Sequence, residues 1–220
     1  MNRHLFHEIE LIKQSLLRIS AMAEEAVKKS VFALTNHNLE YALEVIKNDE
    51  LIDHEEVILE ENCLKVLALH QPVAMDLRYI VSTLKINNDL ERIGDLAVNI
   101  AKLAVRQIER SPAEIPAGIT SMAKIVQDML KSSLDAMVKM NTKKARKVCQ
   151  ADEEVDILHK DTFGYVEKKI RRNPEQTGDF LILIGISRYL ERIADHATNI
   201  AEDVIYMVEG EISRHSNSIF

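Results

Sequence analysis

"ERIGDLAVNIA" at residues 91–101 returns as "ERIADHATNIA" at residues 191–201. Glu, Arg, Ile, Asp, Ala, Asn, Ile and Ala recur in one order, position 91 answering 191 and so on to 101 against 201. A repeat is read before any motif because it changes every later inference. Working outward, Ala42, Val45, Asp49, Ile52 and Asp53 correspond to Ala145, Val148, Asp152, Val155 and Asp156, a shift of 103. Ile19, Ala23, Ala26, Ser30 and Leu34 correspond to Met122, Val126, Met129, Ser133 and Met137 at the same shift. Three residues are lost where "HQPVAMDLR" (70–78) becomes "RNPEQTGDF" (172–180), and the shift falls to 100. The 220-residue chain is a tandem duplication, with halves 1–111 and 112–220.

Within each half, apolar residues recur at steps of three and four over long stretches, the period of an amphipathic helix. Helices are expected at 4–36, 39–70, 73–110, 116–140, 143–172 and 176–209. Asn, Pro and Gly in "TNHN" (35–38), "HQP" (70–72), "RSPAEIPAG" (110–118), "MNT" (140–142) and "RRNPEQTG" (171–178) mark the breaks. Short connections make consecutive helices antiparallel neighbours. The fold predicted is all-α: two tandem, sequence-related three-helix bundles joined through "SPAEIPAG", with helices of roughly 45 Å.

Composition narrows the function. Six Gly, four Pro and no Trp suit helices rather than a turn-rich β fold. A net charge of −7, with no dense Lys/Arg footprint, argues against nucleic acid as a partner. The most basic stretches, "NTKKARK" (141–147) and "EKKIRR" (167–172), read as solvated helix faces. Cys63 and Cys149 are too few and too far apart for a disulfide framework or a thiolate metal site, which points to the cytoplasm. The longest compact apolar run, "FLILIGI" (180–186), is far short of the roughly 18–20 residues that span a bilayer.

The charged positions are less ordinary. On the second helix, Asp49, Asp53 and Glu56 interrupt an apolar line through Ala42, Val45, Ile52, Leu59 and Cys63. The repeat keeps Asp152 and Asp156 and replaces Glu56 by His159. On the third helix a line through Leu77, Val81 and Leu84 turns polar at Asn88, Glu91, Asp95 and Asn99. Its counterpart carries Arg188, Glu191, Asp195 and Asn199. A separate stripe, Leu90, Ile93, Ala97, Ile100, Ala101 and Ala104, carries the core there, so the acidic row lies beside it. Carboxylates bordering a core repel one another and need neutralising. Arg92, Lys85 or Lys102 can do this; so can a multivalent cation, and oxygen-only ligands suit Mg, Mn, Ca or Fe better than structural Zn.

Other chemistry is sparse. Asp156-x-x-His159 is a single near miss to the paired Glu-x-x-His motifs of di-iron bundles. His196 follows Asp195 and can point elsewhere, while His4, His7 and His215 sit near the termini, where solvation is the default. No glycine-rich phosphate loop, nucleophile elbow or Ser/Cys-His pattern occurs. The chain reads as non-enzymatic. Arg78 in "PVAMDLR" is expected to meet an acidic neighbour, cover a helix end or anchor a partner.

The residues "QPVAMDLRYIVSTLKINNDLERIGDLAVNIA" (71–101) and "ISRYLERIADHATNIAEDVIYMVEGE" (186–211), with the preceding Asp-x3-Asp pairs, resemble the PhoU family of bacterial phosphate-specific transport accessory proteins. The resemblance extends over essentially the whole chain. It implies two three-helix bundles, often as a homodimer, and a negative regulator of phosphate uptake and of the phosphate-starvation response. The implied partners are the phosphate ABC transporter ATPase (PstB-like) and a sensor histidine kinase (PhoR-like), through which the protein would be peripheral to the membrane. Metal ions on the acidic rows are implied too, on Asp49, Asp53, Glu91 and Asp95 with Asn99, and on Asp152, Asp156, Glu191 and Asp195 with Asn199. Two departures make the rows unequal: Arg188 replaces Asn88 and Glu202 stands in the place of Lys102, so the second row is open to internal neutralisation. Two competing readings are a carboxylate-bridged oxidase or metal store, and an accessory protein of a low-affinity phosphate transporter.

Overall fold

The computed structural model describes residues 3–110 and 115–210. Six helices follow in order: α1 (Arg3–Asn36), α2 (Leu39–His70), α3 (Ala74–Arg110), α4 (Ala117–Lys139), α5 (Thr142–Arg172) and α6 (Thr177–Glu209), with a single 3-10 turn at Pro174–Gln176 before the last. Each lies within one residue of its predicted bounds. The duplication reaches the turns. His37 and Met140, equivalent residues, both take the left-handed conformation, at φ 52° and 48°. The next residue caps the following helix, Asn38 accepting from the Tyr41 backbone N–H and Asn141 from that of Lys144. Gly210, at φ 77°, closes α6, where a side chain would be strained.

The core forms where the apolar stripes meet. Leu90, Ile93, Ala97, Ile100, Ala101 and Ala104 are all fully buried, as the pattern predicts. So are their equivalents Leu190, Ile193, Ala197, Ile200, Ala201 and Val204. α1 supplies Ile12, Leu16 and Ile19 to the first bundle, and α4 supplies Ile119 and Met122 to the second. Both cysteines are free thiols, and burial pushes Cys149 up to about 11, which leaves it unreactive at neutral pH.

The two bundles share a long seam that single-half periodicity does not reveal: α3 packs on α6 as extensively as on α2. The two helices run antiparallel. Lys85 pairs with Asp203, Asp89 with Asn199, and Arg110 with Asp179. At Gly185 an added Cβ would come within 2.9 Å of Leu103 Cδ1. By this register Gly94 and its equivalent Ala194 fall at the midpoint, so the repeats are related by an approximate two-fold axis through the seam. Its chemistry does not obey the symmetry. One half holds Lys85–Asp203 at 3.3 Å, Lys85 Nζ 5.3 Å from the Tyr206 ring centre, and Asp89 accepting from His196 and Asn199. The positions equivalent to Lys85, Asp89, His196 and Asp203 are Gly185, Tyr189, Leu96 and Leu103.

Candidate cation site: two acidic rows

α2 and α3 bring the first row together. Asp49 and Asp53 stand one turn apart on α2, Glu91 and Asp95 one turn apart on α3. Asp49, Glu91, Asp95 and Asn99 are half-buried and Asp53 is exposed, because the row sits at the edge of the core stripe. The carboxylates act on one another across the helix pair. Burial, then repulsion from Asp53 and from Asp95 on the facing helix, push Asp49 above its ordinary range, with Lys102 opposing. Burial and Asp95 push Glu91 upward, Arg92 opposes, and Asp53 on α2 adds to the shift.

One of the two neutralising devices, an arginine, is visible here. Arg92 lies 3.3 Å from Glu91 Oε2 and 3.3 Å from Asp95 Oδ2, so it bridges the α3 pair. It leaves the row under-compensated. Glu91 Oε2 is shielded from solvent and accepts no hydrogen bond even from Arg92, and Glu91 remains shifted upward. Lys85, offered by the sequence as another partner, belongs to Asp203 of the second bundle instead. Lys102 is exposed and acts on Asp49 only through space.

The second row, on α5 and α6, repeats the arrangement: Asp152, Asp156, Glu191 and Asn199 are half-buried and Asp195 exposed. Burial, with Asp195 and Asp156, pushes Asp152 up to about 6. Burial and Glu191, then Asp156, raise Asp195, against His196 and Arg192. Internal neutralisation by Arg188 is absent: it is exposed and makes no ion pair among the described residues. Asn199 is drawn away to the seam, donating to Asp89 at 3.2 Å, and His196 turns to the same carboxylate at 2.7 Å. Asn99, half-buried one turn after Asp95 on α3, has no counterpart of that seam contact among the described residues, the position equivalent to Asp89 being Tyr189.

The oxygen donors are of the type a hard cation takes, and Glu91 Oε2, ion-paired with Arg92 but accepting no hydrogen bond, is one with capacity to spare. Among the described residues, no three His, Cys, Asp or Glu side chains stand ready-made around an ion.

Two polar contacts beside the rows escaped the sequence reading. Asn87 Nδ2 donates to the Glu56 carbonyl at 2.8 Å and to its Oε1 at 3.2 Å. At the equivalent positions His159 Nδ1 meets Ser187 Oγ at 2.6 Å. The register in which Glu56 answers His159 and Asn87 answers Ser187 was available; that the pairs touch required the packing of the two helices. Arg78 lies over the end of α6, where a Cβ added at Gly210 would meet its Nη1 at 3.4 Å, a favourable place for a cation at a helix C-terminus. His4 and His7 are exposed; His215 lies outside the described residues.

A profile of the PhoU domain matches the chain twice, at residues 16–104 and 119–204. The phosphate-specific transport system accessory protein PhoU homolog of Clostridium acetobutylicum is 36% identical over 213 residues, covering 96% of this chain and 97% of its own. The homolog of the same name from Aquifex aeolicus is 38% identical, covering 97% and 96%. Among solved structures, PhoU from Pseudomonas aeruginosa superposes with a TM-score of 0.89 at 36% identity, covering 93% of this chain and 99% of that one. The phosphate transport system regulatory protein PhoU from Streptococcus pneumoniae gives 0.83 at 29%, covering 94% and 98%. With the domain present in both halves and the likeness running nearly end to end, the chain belongs to the PhoU family.

Proposed function

We propose that this protein is a non-catalytic accessory of phosphate transport. It holds down phosphate uptake and the phosphate-starvation response when phosphate is plentiful, by connecting the transporter's ATPase to a sensor histidine kinase in the cytoplasm. The observation that carries this reading is the match of both halves to the PhoU domain, with near full-length relatives named phosphate-specific transport system accessory proteins.

The surface supports a role in binding proteins. On α2, Leu43, Leu51, Val57 and Leu64 are each about half exposed. On α5 the equivalent positions carry Arg146, Glu154, Lys160 and Glu167. These four positions are apolar on one repeat and charged on the other, although α5 exposes Ile157 and Phe163 elsewhere, and the difference suits contacts with different partners, or with a second copy as a homodimer. Arg78, at the end of α6, is a further candidate anchor. Among the described residues no helix is long and apolar enough to cross a membrane, so attachment there would run through the transporter.

The acidic rows would hold metal: Asp49, Asp53, Glu91 and Asp95 in the first bundle, Asp152, Asp156, Glu191 and Asp195 in the second. A bound Mg, Mn or Fe ion would supply positive charge where the carboxylates now repel one another, tying α2 to α3 and α5 to α6.

Deleting the gene should switch on phosphate-starvation genes in phosphate-rich medium, with repression restored by the wild-type gene; normal repression in the deletion strain contradicts the proposal. A pull-down from phosphate-replete cells should recover the transporter ATPase and the kinase.

A further inference from the structure

The strongest unassigned feature is a groove of about 540 Å³ between α4 and α5, on which three lysines of the "NTKKARK" stretch, Lys143, Lys144 and Lys147, converge beside Asn141. The other repeat has a matching groove of about 280 Å³ between α1 and α2. Met22, Glu25, Val45 and Asn48 line the first; their equivalents Ile125, Asp128, Val148 and Ala151 line the second. One ancestral groove has therefore diverged into two.

The divergence is electrostatic. Where the second repeat has Lys143, Lys144 and Lys147, the first has Glu40, Tyr41 and Glu44. In the first groove the one lysine, Lys29, is neutralised by Glu44 at 2.7 Å and Glu25 at 3.5 Å. In the second, Ser132 replaces Lys29, Lys144 is taken by Asp135, and Lys143 and Lys147 have no acidic partner within 4.0 Å among the described residues. Residues 128–147 hold six basic side chains against two acidic, whereas 25–44 hold two against three, in a chain whose net charge is −7. Self-neutralisation is kept in the first groove and lost in the second.

We propose that the groove between α4 and α5 binds a nucleotide, with its phosphates on Lys143 and Lys147. Lysine serves phosphate as a mobile point charge, and the first turn of α5 adds the positive end of a long helix dipole. The volume is in the range of small-molecule sites, roughly 300–1,000 Å³, and far exceeds what orthophosphate fills. The rest of the wall fits the nucleoside. Ile125, Met129, Val148 and Ala151 give an apolar surface for a base, and the Asp128 carboxylate can accept from a ribose hydroxyl.

The test is calorimetric titration of the full chain with ATP at low salt, with chelator present so that metal-bridged binding at the acidic rows is excluded. Saturable one-to-one binding that weakens with added salt is expected. Lys143→Glu with Lys147→Glu, which restores the first repeat's residues at exposed positions, should weaken it at least about tenfold with an unchanged melting temperature. Lys65→Glu, a lysine on α2, should leave it unchanged. Absence of saturable binding, or equal binding by the double variant, overturns the proposal. Pyrophosphate binding as tightly as ATP would also overturn it, since the apolar wall would then contribute nothing. Binding only to vesicles containing phosphatidylglycerol, with none to ATP, would reassign the lysines to a membrane surface.

Discussion

Asp152 shows at the scale of a single residue what the acidic rows do to the fold. Its carboxyl holds a proton up to about pH 6 in the native protein, against 3.8 ordinarily. Between those values the native state binds more protons than the unfolded chain, so this group makes stability fall as pH rises through that window. The destabilisation is absent below it and complete above it. Asp152→Asn should therefore stabilise the metal-free protein at pH 7.5 by about 1–2 kcal/mol after allowance for solvent screening, and change little near pH 4. Urea denaturation in chelator at the two pH values measures this; an equal effect at both removes the charge explanation. The presence of an acidic row was legible in the sequence, because spacing fixes which residues share a helix line. The bridging by Arg92 was anticipated, whereas the claim of Asp203 on Lys85 was not, since it depends on how two bundles dock.

At the scale of the elements, the six helices were readable almost to the residue. Asn38 and Asn141 cap, Pro116 and Pro174 precede new helices, and apolar positions keep one period throughout. The α3–α6 seam was not, because residues such as Asp89 and Asp203 look like surface charges in a helical pattern and are in fact 8% and 1% exposed. Their burial is made tolerable by partners more than a hundred residues away in sequence, which no local period encodes. Asp89→Ala leaves His196 and Asn199 facing a void and should cost about 1–3 kcal/mol, measured by urea unfolding. Tyr189→Ala, at the equivalent position, should lose packing but strand no polar group. A pH-independent cost near zero for Asp89→Ala would mean that the polar half of the seam contributes no stability.

For the whole molecule, duplication supplied two copies of one bundle, and divergence gave them different surfaces around a common seam: exposed Leu43, Leu51, Val57 and Leu64 on α2 against charged residues at the equivalent positions of α5, and a self-neutralised groove against a basic one. The acidic rows are what both copies kept. That retention joins the fold to the proposed regulatory role, since a cation in each bundle would set the spacing of the helices that present those surfaces. The most direct test is elemental analysis of the purified protein beside its Asp95→Ala, Asp195→Ala double variant, each also melted before and after chelation. The wild type should carry Mg, Mn, Fe or a similar ion and lose thermal stability on chelation, and the double variant should have lost the metal. Full metal content in the double variant, or a wild-type melting temperature that chelation leaves unchanged, would contradict the account.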